Sequence, residues 1–109
     1  MFVYAVEGVS KPLTRNHVLS ALEQTAFEFE LHKVLAEQKP SRSHWHFKRA
    51  AGSGTLEVTW DGTANTVQVL VHTNRVGADS WAKNLAPQFA ETLAKKLGGH
   101  VISHVTHGH

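Results

Sequence analysis

Three successive segments in the middle of the chain alternate large apolar side chains with polar ones. Trp45 and Phe47 alternate with polar residues over 43–49, and the same period of two continues over 55–60 and 66–72. Because neighbouring side chains of a β-strand point to opposite faces, this period predicts three strands in a sheet with one apolar and one polar face. The apolar face has to be covered by other elements of the chain.

Two segments with helical periodicity supply that cover. Over 15–25 apolar residues recur at helical spacing, and Thr14 is placed to cap the helix because its hydroxyl can accept from the free amides of the first turn. Over 79–97 an apolar residue recurs at every fourth position beside a stripe of alanines, and two glycines end the pattern. Pro87 lies inside this pattern, so we expect a kink near 83–87 rather than two separate helices.

Two further segments complete the predicted architecture. Residues 2–8 are apolar and β-branched and predict an N-terminal strand, whereas 26–37 fit either a strand at 27–36, which we favour, or a continuation of the first helix. The predicted order is β-α-β-β-β-β-α, or β-α-β-β-β-α if 26–37 is helical. Both orders give an α+β fold, an antiparallel sheet of four to five strands with two helices packed on one face.

The length of the chain and its residue types limit where it works. The 109 residues correspond to one domain, which we place at 1–99, followed by a histidine-rich tail at 100–109 that begins with a short strand at 101–105. No apolar run approaches the length that spans a bilayer, and no signal peptide is recognised. The absence of cysteine excludes disulfides, thiolate zinc sites and cysteine nucleophiles. We therefore expect a cytoplasmic protein with no membrane partner.

The polar side of the sheet, which we call the open face, is the predicted working surface. An antiparallel sheet covered on one side leaves its other side to solvent, and the alternation decides which side chains lie there. The registers that we predict place His32 opposite His46, His46 opposite Thr59, and His44 opposite Asp61. The side chains predicted to share the open face are Glu30, His32, His44, His46, Lys48, Glu57, Thr59, Asp61, Gln68 and His72.

Positive charge is concentrated beside this face. The formal net charge is only +2, yet residues 38–56 contain four cations and no acid. Such a segment attracts anionic partners, nucleic acid included, because lysine and arginine neutralise phosphates. Trp45 and Phe47 fall in the same segment, but the alternation places both in the core, where neither can stack on a base.

We therefore predict a small binding or interaction module without catalytic activity, since no nucleophile or phosphate-binding motif is present. The predicted ligand is an anionic partner or a second copy of the chain, and Leu70 on the open face suits a homodimer contact. The predicted binding residues are Lys39, Arg42, His44, His46, Lys48, Arg49, Glu57, Asp61 and His72.

The alternative prediction is a metal-binding protein or a metal-dependent enzyme with its site at His44 and His46. His44 and His46 share one strand face, as two ligands of one ion do, and Glu30, His32 or Asp61 can supply a third. Nothing in the sequence demands a cofactor, but imidazole and carboxylate groups suit a divalent transition metal such as zinc, nickel or copper. The histidines of the tail form a denser cluster, which we interpret as a frayed segment without a biological metal.

Overall fold

The computed structural model of the protein describes residues 2–39, 41–49, 54–71 and 80–105. All strand pairs of its sheet are antiparallel, in the spatial order β2-β3-β4-β5-β1-β6. The α+β fold with an antiparallel sheet is confirmed, and the described residues form six strands rather than four to five. In chain order the elements are β1 (Phe2–Glu7), α1 (Arg15–Glu28), β2 (Leu31–Lys39), β3 (Arg42–Arg49), β4 (Leu56–Asp61), β5 (Thr66–Val71), α2 (Ser80–Leu97) and β6 (His100–Val105).

The sixth strand comes from the segment predicted as a tail. β6 pairs with the full length of β1, so that β1 lies inside the sheet between β5 and β6. Gly98 follows α2 with a φ of +80°, a conformation that glycine adopts without strain. Gly99 lies so close to β1 that an added Cβ would be 2.6 Å from the carbonyl oxygen of Glu7. The chain thus turns directly from α2 into the sheet, and residues 100–105 belong to the sheet.

The first helix begins where the sequence predicts. Thr14 caps it, with its hydroxyl accepting a hydrogen bond from the amide of His17 at 3.2 Å. In the predicted apolar stripe Val18 and Leu22 are fully enclosed, and Leu19 is partly buried against the core. The helix then continues to Glu28, three residues beyond its predicted end.

The start of β2 corrects our prediction of a strand at 27–36. Phe27 is still helical and 84% exposed, and the strand begins only at Leu31. Glu30, which we had placed on the open face, turns the chain between the two elements with a φ of +58°. Phe29, at the end of the helix, packs against the core. Phe27 and Phe29 therefore face different environments although their spacing resembles that of a strand.

One hydrophobic core lies between the sheet and both helices. Trp45 and Phe47 are buried in it, as the alternation predicts. The ring centroids of Phe47 and Phe89 are 6.0 Å apart. The second helix runs through Pro87 without a break, so the prediction of one helix is confirmed, whereas the kink stays a prediction. Four small residues let this helix lie close to the sheet, namely Ala82, Ala86, Ala90 and Ala94. Within the described ranges, neither helix has the length and apolarity needed to cross a bilayer.

The register of β3 against β4 differs from our prediction by two residues. His44, not His46, lies opposite Thr59, and Asp61 lies opposite Arg42 instead of His44. A shift of two keeps every side chain on its predicted face, which is why alternation cannot detect it. The ends of the strands are instead set by the turns, where the amide of Gly62 donates to the carbonyl of Ser41 at 2.7 Å.

The register of β2 against β3 contains a bulge that was not predicted. His32 lies opposite Lys48 rather than His46, and the register shifts by one residue between Lys33 and Leu35. Beyond the bulge Glu37 pairs with His44, and Lys39 with Arg42. Because one extra residue reverses the parity of the strand, the bulge brings both Glu37 and Lys39 to the open face.

Candidate metal centre

Three donor atoms from β3 and β4 converge on the open face. His44 Nε2 lies 2.9 Å from His46 Nε2 and 3.0 Å from Glu57 Oε1. His46 Nε2 lies 3.3 Å from the same carboxylate oxygen. Two imidazole nitrogens and one carboxylate oxygen therefore form a nearly equilateral triangle.

The sheet itself produces this convergence. His44 and His46 are two residues apart on β3 and so point the same way, and their rings meet edge to face with centroids 4.8 Å apart. Glu57 occupies the position on β4 directly opposite His46. The side chain of Glu57 is only 14% exposed, against 27% and 28% for the two histidines. A carboxylate this well shielded is stabilised by polar or positively charged groups beside it, and a metal ion is one such group.

A fourth side chain orients the first imidazole. Thr59, which is 7% exposed, lies opposite His44 on β4, and its Oγ1 is 2.6 Å from His44 Nδ1. When the hydroxyl accepts a hydrogen bond from Nδ1–H, the lone pair of His44 lies on Nε2, the nitrogen directed at the triangle. Metal-binding histidines are commonly held in this way, by a hydrogen bond from the ring nitrogen that does not bind the ion.

The dimensions of the triangle fit a transition-metal ion. With ligand distances of about 2.1 Å, two ligands of a tetrahedral ion are about 3.4 Å apart, and neighbouring ligands of an octahedral ion about 3.0 Å. The observed separations of 2.9, 3.0 and 3.3 Å lie within or close to this range. Little movement of the side chains is therefore needed for all three to bind one ion.

Shared protons offer the competing explanation. His44 Nε2 contacts both an imidazole nitrogen and a carboxylate oxygen, so a single proton on it can serve as a hydrogen bond to either. Two protonated nitrogens 2.9 Å apart would repel each other, which allows only one of the pair to carry its proton there. The two explanations differ in what happens when metal is added: a metal centre binds the ion, whereas a cluster held only by shared protons does not.

Asp61, the carboxylate that we predicted as a metal ligand, lies outside the triangle. Its Oδ1 accepts hydrogen bonds from the amides of Thr63 and Ala64 at 2.9 and 3.3 Å, so it shapes the turn after β4. The shift of two residues in register exchanges it for Glu57, which we had assigned to the open face only as a binding residue. Glu57 carried a signal in the sequence, since it belongs to the polar set of β4, but alternation alone does not rank one carboxylate above the other.

The basic residues that we grouped as one binding segment divide between two faces. Lys39 and Arg42 line a pocket of about 280 Å³ beside His44 on the open face. Lys48 lies on the same face, opposite His32. Arg49 lies on the helical side, where its guanidinium is 5.1 Å from the centroid of the Trp81 ring and makes a cation–π contact.

Two other predictions concern His72 as a binding residue and Leu70 as a homodimer contact. His72, a predicted binding residue, lies outside the described residues, as do the histidines at 107 and 109. Leu70 lies on the open face opposite Glu57 and is half-buried. The homodimer contact that we assigned to it stays a prediction.

Neither a protein-family model, nor a curated protein, nor a solved structure matches this chain. Functional interpretation therefore depends on the side chains of the open face.

Proposed function

We propose that this protein binds a divalent transition-metal ion through His44, His46 and Glu57. The observation that supports the proposal is the convergence of their three donor atoms within 3.3 Å of one another. Thr59 adds support, because a hydroxyl on the outer nitrogen of His44 keeps the inner nitrogen available to an ion.

The donor set narrows the choice of ion. Two imidazoles and one carboxylate suit zinc and its neighbours Co²⁺, Ni²⁺ and Cu²⁺, and the same set holds Fe²⁺ in sites with open positions. Calcium and magnesium prefer sites built from oxygen ligands, so they compete poorly here. We take Zn²⁺ as the reference ion, and Co²⁺ as the spectroscopic probe whose visible absorption reports the number of ligands.

In the described part of the chain three side chains supply ligand atoms, which is the number found in open metal sites. These three ligands leave at least one position of the ion for water or another ligand. The triangle lies on a sheet face rather than in a deep cleft, and its histidines are more than a quarter exposed. Metal-dependent binding is the function that this arrangement suits best.

Metal titration of the chelator-treated full chain tests the proposal. We expect one tight site for Zn²⁺ in a competition titration against a chromophoric chelator, and a visible spectrum with Co²⁺. His44→Ala and His46→Ala should each weaken binding by more than the 10- to 100-fold that loss of a ligand-orienting neighbour costs.

Two control variants isolate the centre from other histidines. His32→Ala removes an exposed histidine of the same face that is no part of the triangle, and it should leave the affinity unchanged. The second control replaces both His107 and His109 by alanine in the full chain. Any metal binding that remains in this variant does not come from these two histidines. Circular dichroism before titration verifies that each variant is folded. Undiminished binding in folded His44→Ala/His46→Ala protein would rule out the proposed centre.

A further inference from the structure

A pocket adjoins the proposed metal centre on the side of the β2–β3 hairpin. Its lining includes His44, whose Nε2 is one of the three proposed ligand atoms, so this residue is common to the pocket and the metal centre. Glu37 faces His44 across the two strands, and Lys39 faces Arg42 one pair further along. These four residues form the corners of the pocket, about 7 Å along the strands and about 5 Å across them.

Two cations, Lys39 and Arg42, lie at corners of this pocket. Within the residues that the structure describes, neither of them forms an ion pair or a side-chain hydrogen bond. The bulge in β2 is what brings Lys39 to the open face opposite Arg42. Arg42 also lines a second, smaller pocket with Asp61 and with Thr59, the residue whose hydroxyl contacts His44.

Metal binding makes the charge in this region more positive. With neutral imidazoles, the charged side chains of the metal centre and the two pockets carry a net charge of −1, and a divalent ion changes this to +1. These side chains are Lys39, Arg42, Glu37, Glu57 and Asp61. Lys48, two residues after His46 on the same face, adds one positive charge to both states. An anion is therefore attracted more strongly by the loaded site than by the metal-free one.

We propose that the metal-loaded site binds a phosphate group, with one oxygen on the open position of the ion and others on Arg42 and Lys39. Three separate positive groups match the three terminal oxygens of a phosphate better than the two oxygens of a carboxylate. The inference rests on the proposed function, because the ion supplies both a ligand position and the charge that admits the anion.

Coupling between the two ligands is the measurable consequence. If a bound metal ion tightens phosphate binding by a given factor, then phosphate must tighten metal binding by the same factor. Coupling energies between two ligands commonly correspond to factors of about 5 to 150. We expect inorganic phosphate at millimolar concentration to tighten Co²⁺ binding at least fivefold and to change the visible spectrum of the bound ion.

Charge variants of the pocket separate this effect from metal binding itself. Lys39→Gln/Arg42→Gln should abolish the tightening by phosphate while the protein still binds Co²⁺ in phosphate-free buffer. Glu37→Gln removes a repelling carboxylate and should increase the tightening. Lys48→Gln is the matched control, a cation of the same face outside the pocket, and should behave as the unmodified protein.

The experiment compares phosphate-free buffer, inorganic phosphate, phenyl phosphate and acetate, each titrated with Co²⁺. Equal tightening by inorganic and phenyl phosphate supports a phosphate monoester as the ligand, and tightening by inorganic phosphate alone supports the free ion. Tight Co²⁺ binding that no phosphate alters would overturn the inference and leave the metal centre standing. Equal tightening by acetate, or by phosphate in the Lys39→Gln/Arg42→Gln variant, would also overturn it. Absence of Co²⁺ binding in phosphate-free buffer would overturn the metal centre itself.

Discussion

Replacement of Thr59 by valine tests whether the strand orients the first metal-binding imidazole. The hydroxyl of Thr59 lies 2.6 Å from His44 Nδ1 in an environment where the residue is only 7% exposed. Valine has nearly the same shape and favours a strand as strongly, so Thr59→Val removes the hydroxyl while β4 keeps its packing. His44 then loses the partner that holds the lone pair on Nε2.

The expected loss of metal affinity is large compared with the expected loss of stability. Removal of a ligand-orienting neighbour typically lowers metal affinity 10- to 100-fold, or by about 1.4 to 2.8 kcal/mol. In the metal-free protein a lost hydrogen bond costs about 1 kcal/mol, and the methyl group that replaces the hydroxyl offsets most of this on burial. We therefore expect Thr59→Val to weaken Zn²⁺ binding at least tenfold and to change the melting temperature of the metal-free protein only slightly.

Zn²⁺ competition titrations of the two proteins, together with thermal melts of their metal-free forms, measure both quantities. Thr66→Val is the matched control, because Thr66 lies on the same face at the position opposite Asp61, away from the imidazoles. Its Zn²⁺ affinity should equal that of the unmodified protein. A Zn²⁺ affinity of Thr59→Val within twofold of that of the unmodified protein would refute the orienting role of the Thr59 hydroxyl. An equal loss of Zn²⁺ affinity in Thr66→Val would refute it as well.

The remaining predictions concern stability. Zn²⁺ at a hundred times its dissociation constant should add about 2.7 kcal/mol, or roughly 10 °C in a thermal melt, and a melt of His44→Ala/His46→Ala should show no such shift. Gly99→Ala should cost about 1 to 3 kcal/mol in urea unfolding, because the new Cβ would lie 2.6 Å from the backbone oxygen of Glu7, and an unchanged midpoint would contradict the tight approach of β6 to β1. Asn65 adopts a φ of +54° and bridges two backbone groups of the loop before α1 at 2.6 and 3.1 Å. Asn65→Ala should cost about 2 kcal/mol in the same assay, whereas unchanged stability would show that the bridge contributes nothing.

The sequence predicts the faces of the strands well because burial enforces them. Trp45 and Phe47 have to be enclosed, so His44, His46 and Lys48, which alternate with them, have to face outward, and no register can change that. The boundary between α1 and β2 was harder to predict, because Phe27 and Phe29 fit a strand pattern. Phe27 is in fact an exposed helical residue, and an exposed aromatic carries no information about the side on which the core lies.

The bulge in β2 was not predicted because it too lies where side chains are exposed. The extra residue in β2 lies between Lys33 and Leu35, on an edge strand whose described side chains are mostly exposed. Alternation is weak where both sides of a strand meet solvent, so no apolar pattern records the shift by one residue. The shift nevertheless decides that Glu37 and Lys39 face the metal centre instead of the opposite side.

The composition of the metal centre depends on turns rather than on alternation. Parity alone permits His44 to face Thr59 or Asp61, and each choice gives a different carboxylate to the histidines. The hairpin that pairs Lys39 with Arg42 fixes where β3 begins, and the hydrogen bond from Gly62 to Ser41 ties the end of β4 to that hairpin. Gly62 cannot be replaced there without displacement, since an added Cβ would lie 2.7 Å from the ring of Trp60. A change that lengthens this hairpin should therefore shift Glu57 away from His46 and weaken metal binding without touching any ligand.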